Sequence, residues 1–580
     1  MLVLAGPGSG KTTVISERVR YLIEEKGVEP GRILTITFTK AAALEMQRRC
    51  QNICPRASAA VFGTFHSVFY HFLRKSEKYQ KFTHINEKQK KEMMKKLVPI
   101  GTMTSLQHAY LCESMLKKIS YYKNSQSDLA HEGEDFYEIM RRYSRLCVEQ
   151  EKLDFDDMLV LCLELFLENK QELYKWQNKF SYILVDEFQD INQCQYEIVK
   201  LLTQKSGNLF VVGDDDQAIY SFRGSDPGYM KQFLLDFPNA RKTCLEENYR
   251  SGEGIVALAG KSISNNEERF FKNIQAMRQF AHEVIIKEFD TMEKEAQEVM
   301  DRILCLGKNI PKENIAVLVR TNAKAEYLAE LFYQRKIPCS VREKRTCFYD
   351  NPWVRDIFAV LRFASCGQKR KDFFVFMNKP FRAIERCMLP SEQVQFEKLM
   401  QFAEVAQEAK KIKSCIELIQ GLDPYAAVLL VLNGLKYRKY LDEIAGEDVN
   451  IRKQIDEVIE ELLERTKCFD SIPQLLEFVQ RYTETYKCEE QEPAKDAVQI
   501  LTYHASKGLE FDCVFLPMLN QGIVPHGHML TQKQMEEERR MFYVAMTRAK
   551  KYLWLSGYGK EERAERSIFL KELQSQEIGT

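Results

Sequence analysis

The sequence predicts an α/β protein built on two cores with parallel sheets, each core carrying a mostly helical insertion. Three observations carry that prediction. Strand-patterned and helix-patterned segments alternate toward both ends of the chain, as β-α-β units do. A glycine-rich loop joins the first apolar strand to the first helix, a junction typical of parallel sheets. Two long charged helical stretches, about 72–150 and about 363–490, interrupt this alternation at matching places in the two halves. A chain of 580 residues also exceeds what one hydrophobic core sustains.

The elements follow in order. Leu2-Val3-Leu4 reads as a buried strand, and Gly6-Pro7-Gly8-Ser9-Gly10-Lys11-Thr12-Thr13 as a phosphate-binding loop opening a helix to about Glu25. Gly6, Gly8 and Gly10 let backbone N–H groups wrap an anion that faces the helix N-terminus. In such a loop Lys11 reaches the β- and γ-phosphates and the Thr12 hydroxyl holds Mg²⁺; Ser9 and Thr13 complete the cradle. The first position of the pattern is Ala5 rather than Gly. A strand at 33–38, a helix from Lys40 to about Arg49 and a strand at 61–64 continue the alternation, and strands return at 182–185 and 209–212. The second half repeats the layout, with strands at 242–245, 284–289 and 315–319 before its insertion and at 498–502, 513–516 and 552–555 after it.

Two polar segments follow buried strands. Asp186-Glu187-Phe188-Gln189-Asp190 ends the strand at 182–185, at the carboxyl edge where parallel sheets bind ligands. Asp186 suits Mg²⁺, and Glu187 suits the orientation or deprotonation of an attacking water. Gly213-Asp214-Asp215-Asp216-Gln217 ends the strand at 209–212, and the neutral amide of Gln217 suits a phosphate sensor.

Composition sets outer limits. With 45% apolar and 29% charged residues the chain has an ordinary soluble, globular balance, and its net charge of +1 leaves room for a local basic groove. The sixteen cysteines form no C-x-x-C pair, so reduced cytosolic thiols are expected. No apolar stretch approaches the roughly 18 residues that span a membrane. A cytoplasmic protein without a membrane partner is expected.

The ordered blocks resemble the UvrD/PcrA/Rep family of superfamily-1 DNA helicases. They are the phosphate loop, Thr37-Phe38-Thr39, Gly63-Thr64-Phe65-His66-Ser67, the two acidic segments, Leu245-Glu246-Glu247-Asn248-Tyr249-Arg250-Ser251, Thr502-Tyr503-His504-Ala505-Ser506-Lys507-Gly508-Leu509-Glu510, and the block from Glu536 to Ala549 containing Tyr543 and Arg548. The resemblance implies two RecA-like P-loop domains: 1–71 with 151–240, interrupted by 72–150, and 241–362 with 491–580, interrupted by 363–490. It implies an ATP- and Mg²⁺-dependent 3′-to-5′ translocase and helicase acting on single-stranded DNA and single/double-strand junctions, in repair or recombination, with repair proteins as partners and a monomer in isolation. By similarity, Arg250 and Arg548 are arginine fingers, Tyr249 stacks on adenine, and Glu510, beside Gly508, meets the ribose. Phe38, Thr39, Phe65, His66, Tyr220, Phe222, Arg223 and His504 are the matching DNA contacts.

Departures from the pattern shape the alternatives. Phe222 stands where the family usually has Trp, implying a weaker grip on DNA. Phe38-Thr39-Lys40-Ala41-Ala42 replaces Phe-Thr-Asn-Lys-Ala, which relocates a phosphate contact. Asn378-Lys379-Pro380-Phe381-Arg382-Ala383-Ile384-Glu385-Arg386 replaces an Arg-Gly-Ile-Gly stretch associated with gripping duplex. The family's glutamine-bearing adenine motif lies upstream of the phosphate loop, so a late start of this chain and weakened adenine selectivity are expected. The alternatives are a DNA-stimulated motor without robust unwinding and a DNA-binding remnant with impaired turnover.

Overall fold

The computed structural model describes residues 1–100, 105–125, 133–278, 283–341, 347–446, 449–489, 496–527, 529–559 and 564–574. It is an α/β protein with parallel sheets, and it divides into two units. The first comprises 1–310, 314–320 and 502–580; the second comprises 311–313 and 321–501. Among the described residues no helix is long and apolar enough to cross a membrane.

The first sheet of the larger unit has the order Val61–Thr64, Ile33–Thr37, Tyr182–Val185, Leu209–Gly213, Leu2–Ala5, Lys242–Leu245, all parallel. Its inner strands are short apolar runs buried on both faces, as a helix-covered parallel sheet demands. One face packs on Phe69, Phe72 and Trp176, the other on Ile15, Val19 and Met46. Because the strands are parallel, the phosphate loop, Phe38, Phe65, Asp186 and Asp214 all leave the same edge of the sheet. Lys242–Leu245 differs from the sequence expectation. It is the edge strand of this sheet, paired with Leu2–Ala5, and does not open the second core. Local pattern reveals strand character but not the partner, which here lies 240 residues back (Leu2↔Lys242).

The helices Glu87–Leu97, Ser105–Ser125 and Glu134–Glu149 pack around a small core of their own, which includes Met94, Ile119 and Tyr143. The two ends of this segment are joined where Thr83–His84 pairs with Lys152–Leu153. Buried Lys123 anchors it by donating to Asp154 at 3.0 Å and to Asp157 at 2.5 Å. A further parallel run in the same unit has the order Glu283–Phe289, Ala549–Tyr558, Phe511–Leu516, Ile315–Val319.

The smaller unit is mostly helical. Its helix Pro352–Ser365 is buried along most of its length, and Cys339–Val341 pairs in parallel with Val498–Thr502. At its centre Arg465 is fully buried against Glu330 and Glu461 and lies 4.1 Å over the Phe348 ring.

Candidate active site and DNA path

The phosphate loop is bent by Gly8 at φ +67° and Gly10 at φ +86°, conformations that side chains resist. Gly8 is needed for space as well. A Cβ there would lie 2.6 Å from the Arg250 Cβ and 3.0 Å from Asn248 Oδ1. The Ser9 hydroxyl closes the loop on Gly6 O at 2.7 Å, and Lys11 Nζ donates to Ala5 O at 3.2 Å. A cavity of about 450 Å³ lies over this loop. Lys11, Thr12, Glu187, Gln217, Arg250 and Arg548 line it together. Tyr249, Gly508 and Glu510 line it too, with Thr13.

The acids are held by neighbours. Asp186 is buried, its N–H donating to Ile36 O at 2.9 Å and its carboxylate accepting from the Glu187 N–H at 3.0 Å. Burial, with the charge of Glu187, pushes the Asp186 carboxyl up to about 7. Glu187 is left-handed at φ 50°, ψ 45°, a strained backbone for a non-glycine residue at the cavity wall. Burial pushes its carboxyl up, but Lys11, Lys507 and the Gln189 amide together hold it below the usual value. Gln189 ties the two acidic segments together: it donates to Glu187 at 2.6 Å and accepts from the Asp214 N–H at 2.9 Å. Gln217 Nε2 donates to Asp214 Oδ2 at 2.6 Å.

Asp214, Asp215 and Asp216 stand close enough to share a metal ion, but a lysine fills that role. Lys272 Nζ lies within 2.8 Å of all three carboxylates, and Arg269 adds a bidentate pair to Asp216 at 2.7 and 2.9 Å. Sequence reasoning missed both cations, because their segment comes after the strand Lys242–Leu245 and carries no local signal.

The arginines are positioned by backbone. Arg250 donates Nε to Glu510 at 2.9 Å and Nη1 to Thr547 O at 3.4 Å. Arg548 is buried, and its guanidinium donates to Val544 O, Leu509 O and the Thr547 hydroxyl. Burial, then repulsion from Arg250, pulls it down to about 9. Tyr249 keeps its ring half exposed, with its hydroxyl on Glu247. Arg49, Arg278 and Lys550 also line the cavity and were not anticipated.

Of the DNA candidates, five gather in one place. Phe38 stacks on Tyr220 at 5.0 Å and 14°, and His504 meets Tyr220 at 6.2 Å and Phe222 edge-on at 5.4 Å. The Arg223 guanidinium lies 5.2 Å over Tyr220 and 5.4 Å over Phe222, whose ring is 56% exposed. His66 packs edge-on against half-exposed Phe155 at 5.5 Å, a residue the sequence reading did not single out. The Thr39 hydroxyl caps the helix Lys40–Ile53 by accepting from the Ala42 N–H at 3.1 Å. Phe65 does not join them. Its ring is 2% exposed and packs on Phe69 in the core. The spacing of Phe65, Val68, Phe69 and Phe72 is the helical apolar stripe that marks it as core.

One residue connects the two groups. Lys507 Nζ bonds Asp190 and donates to Gln217 O at 2.8 Å while lying 5.0 Å over the Tyr220 ring.

Comparison with known proteins is consistent along the chain. Residues 1–238 match the UvrD/REP helicase N-terminal domain, and residues 243–560 match the UvrD-like helicase C-terminal domain. The chain is 33% identical to the Bacillus subtilis (strain 168) protein YjcD, over 99% of this chain and 79% of that protein. It is 30% identical to the ATP-dependent DNA helicase Rep of Buchnera aphidicola subsp. Schizaphis graminum, over 100% and 94%. It is also 30% identical to the ATP-dependent DNA helicase PcrA of Staphylococcus epidermidis (strain ATCC 35984), over 99% and 84%.

Proposed function

The chain belongs to the UvrD/Rep/PcrA family of ATP-dependent DNA helicases, and from that premise we propose that it couples ATP hydrolysis to 3′-to-5′ movement along single-stranded DNA and to strand separation, in repair or recombination. The observation that carries this reading is a single cavity lined by a phosphate loop, a strained glutamate and two arginines. The aromatic stack of Phe38 and Tyr220 is joined to it through Lys507.

Each residue has a task in that reaction. Backbone N–H groups of the loop and Lys11 hold the phosphates. Lys11, Lys507 and the Gln189 amide favour the charged form of Glu187, which suits a group that orients or deprotonates water. Gln217 aligns that water, and Arg250 with Arg548 offsets charge developing on the phosphoryl oxygens. The Thr12 hydroxyl and the Asp186 carboxylate are hard oxygen donors that fit Mg²⁺, which would neutralise phosphate charge when bound. Tyr249 stacks on the base. Bases of the single strand stack on Tyr220, Phe222 and Phe38, with Arg223 on the backbone.

The test is ATP hydrolysis with and without single-stranded DNA. Stimulation by DNA that is lost in Lys11→Ala is expected; turnover surviving that substitution would defeat the assignment. Polarity is read from duplexes with a 3′ or a 5′ tail, with unwinding expected only for the former.

A second reading, a motor that translocates without robust unwinding, rests on one observation in the smaller unit. Arg382 is buried, its guanidinium donating to Phe376 O, Met377 O and Leu435 O, and Ala383 beside it is left-handed at φ 57°. That arginine is committed to its own fold and is withdrawn from duplex DNA. Translocation at normal rate with little unwinding would favour this second reading.

A further inference from the structure

Glu510 is held from two sides. Its Oε2 accepts from Arg250 Nε at 2.9 Å, and its Oε1 accepts from Lys550 Nζ at 2.7 Å. All three side chains line the cavity. The placement of Lys550 is built into the sheet. Phe511–Leu516 pairs with Ala549–Tyr558 through Phe511↔Ala549 and Cys513↔Tyr552, so the second strand takes three steps where the first takes two. Such a bulge re-aims side chains, and bulges are frequent beside active sites. In a regular strand Lys550 and Lys551 would point to opposite faces. With the extra residue Lys550 reaches Glu510, and Lys551 reaches Asp512 at 3.4 Å.

We propose that Lys550 is a positioning residue of the ATPase: it holds one oxygen of Glu510 so that the other is exchanged between Arg250 and the ribose hydroxyls, and nucleotide arrival thereby frees Arg250 for the phosphates. This rests on the reading of Glu510 as ribose contact and Arg250 as arginine finger. An arginine fork binds a free carboxylate bidentately. Occupation of Oε1 by Lys550 limits Arg250 to a single bond with Glu510, which a ribose hydroxyl can replace. Without Lys550 both oxygens turn to Arg250 and retain it.

The experiment is steady-state, DNA-stimulated ATP hydrolysis by the full chain in a double-mutant cycle of Lys550→Met and Glu510→Ala, with Lys550→Arg and Lys551→Met beside it. Lys550→Met is expected to lower kcat about fivefold with a smaller change in KM, the pattern of a contact that matters after binding. In the Glu510→Ala background Lys550→Met is expected to have no further effect, because the lysine acts only through that carboxylate. Lys550→Arg restores kcat, and Lys551→Met, which touches Asp512, leaves it unchanged. An unaltered kcat in Lys550→Met overturns the proposal, as does an equal loss in the Glu510→Ala background. A wild-type chain without DNA-stimulated ATP hydrolysis overturns the parent reading and this one together.

Discussion

The side chain of Asn248 donates to the carbonyl of Pro7 at 2.8 Å, fastening the strand that carries Arg250 to the phosphate loop. The Asn248 Oδ1 accepts in turn from the N–H groups of Arg250 at 2.8 Å and Ser251 at 2.9 Å, and the Tyr249 N–H donates to Gly8 O at 3.0 Å. Asn248 is buried, so no water replaces these bonds cheaply. Backbone bonds and one buried amide thus tie the strand that carries the base platform and the arginine to the phosphate loop. Asn248→Ala is expected to lower kcat/KM for ATP by about tenfold to a hundredfold, in line with 1–3 kcal/mol for stranded buried polar groups. A matched fall in thermal stability should accompany it. Asn248→Asp keeps the acceptor but repels Pro7 O, and should be no better than Ala in the hydrolysis assay.

Two aromatics that look alike in the sequence should behave oppositely. Phe65→Ala empties a core position and should cost about 3–5 kcal/mol of stability. Tyr220→Ala, on the stack with Phe38, should cost less stability than Phe65→Ala and weaken single-stranded DNA binding by about 1–3 kcal/mol. Phe222→Trp enlarges an exposed ring and should tighten DNA binding. Fluorescence anisotropy with a labelled oligonucleotide, beside a melting curve, separates the two classes.

Much of this site is legible in the sequence because it is local. A short apolar run followed by Gly-rich or acidic residues states both the strand and what leaves its end, which is why Lys11, Asp186, Glu187 and Gln217 could be named. What stayed hidden depends on partners distant in the chain. Lys272 and Arg269 neutralise Asp214 to Asp216, Asn248 reaches Pro7, and Lys242–Leu245 joins a sheet begun at Leu2. Phe65 and Phe38 both follow strands, and only the face of the next helix distinguishes them. Phe65 opens a helix whose apolar stripe faces the core, whereas Phe38 precedes the cap residue Thr39.

His504 should contribute a loss of stability in mild acid, opposite in sign to the contribution of the raised Asp186 carboxyl. Burial, then the nearby charge of Arg320, pulls its imidazole down to about 4, against the upward pulls of Glu538 and the Ile219 backbone and a further downward push from Arg223. An unfolded histidine titrates near 6.5. Its contribution is therefore complete above about pH 6.5 and is lost as pH falls from there toward 4, because the unfolded chain takes up the proton first. At pH 5 the loss is on the order of 2 kcal/mol. Urea unfolding at pH 7.5 and pH 5 checks it by difference: on going to pH 5, wild type should lose on the order of 2 kcal/mol relative to His504→Gln.

The acid triplet gives the last prediction. Lys272 is as buried as the carboxylates it bridges, so each charge there is tolerable only because the others are present. Lys272→Met strands Asp214 and Asp215 without their cation and leaves Asp216 to Arg269. A loss of about 3–5 kcal/mol is expected, the range for breaking a buried ion pair from one side. Adding Asp215→Asn to Lys272→Met removes one of the stranded charges and should recover part of the loss. Calorimetric titration of the wild-type chain with Mg²⁺ in the absence of nucleotide should detect no ion at this cluster, since the ammonium already occupies the position where the three carboxylates converge. Heat that disappears in Asp215→Asn would show instead that a metal displaces the lysine.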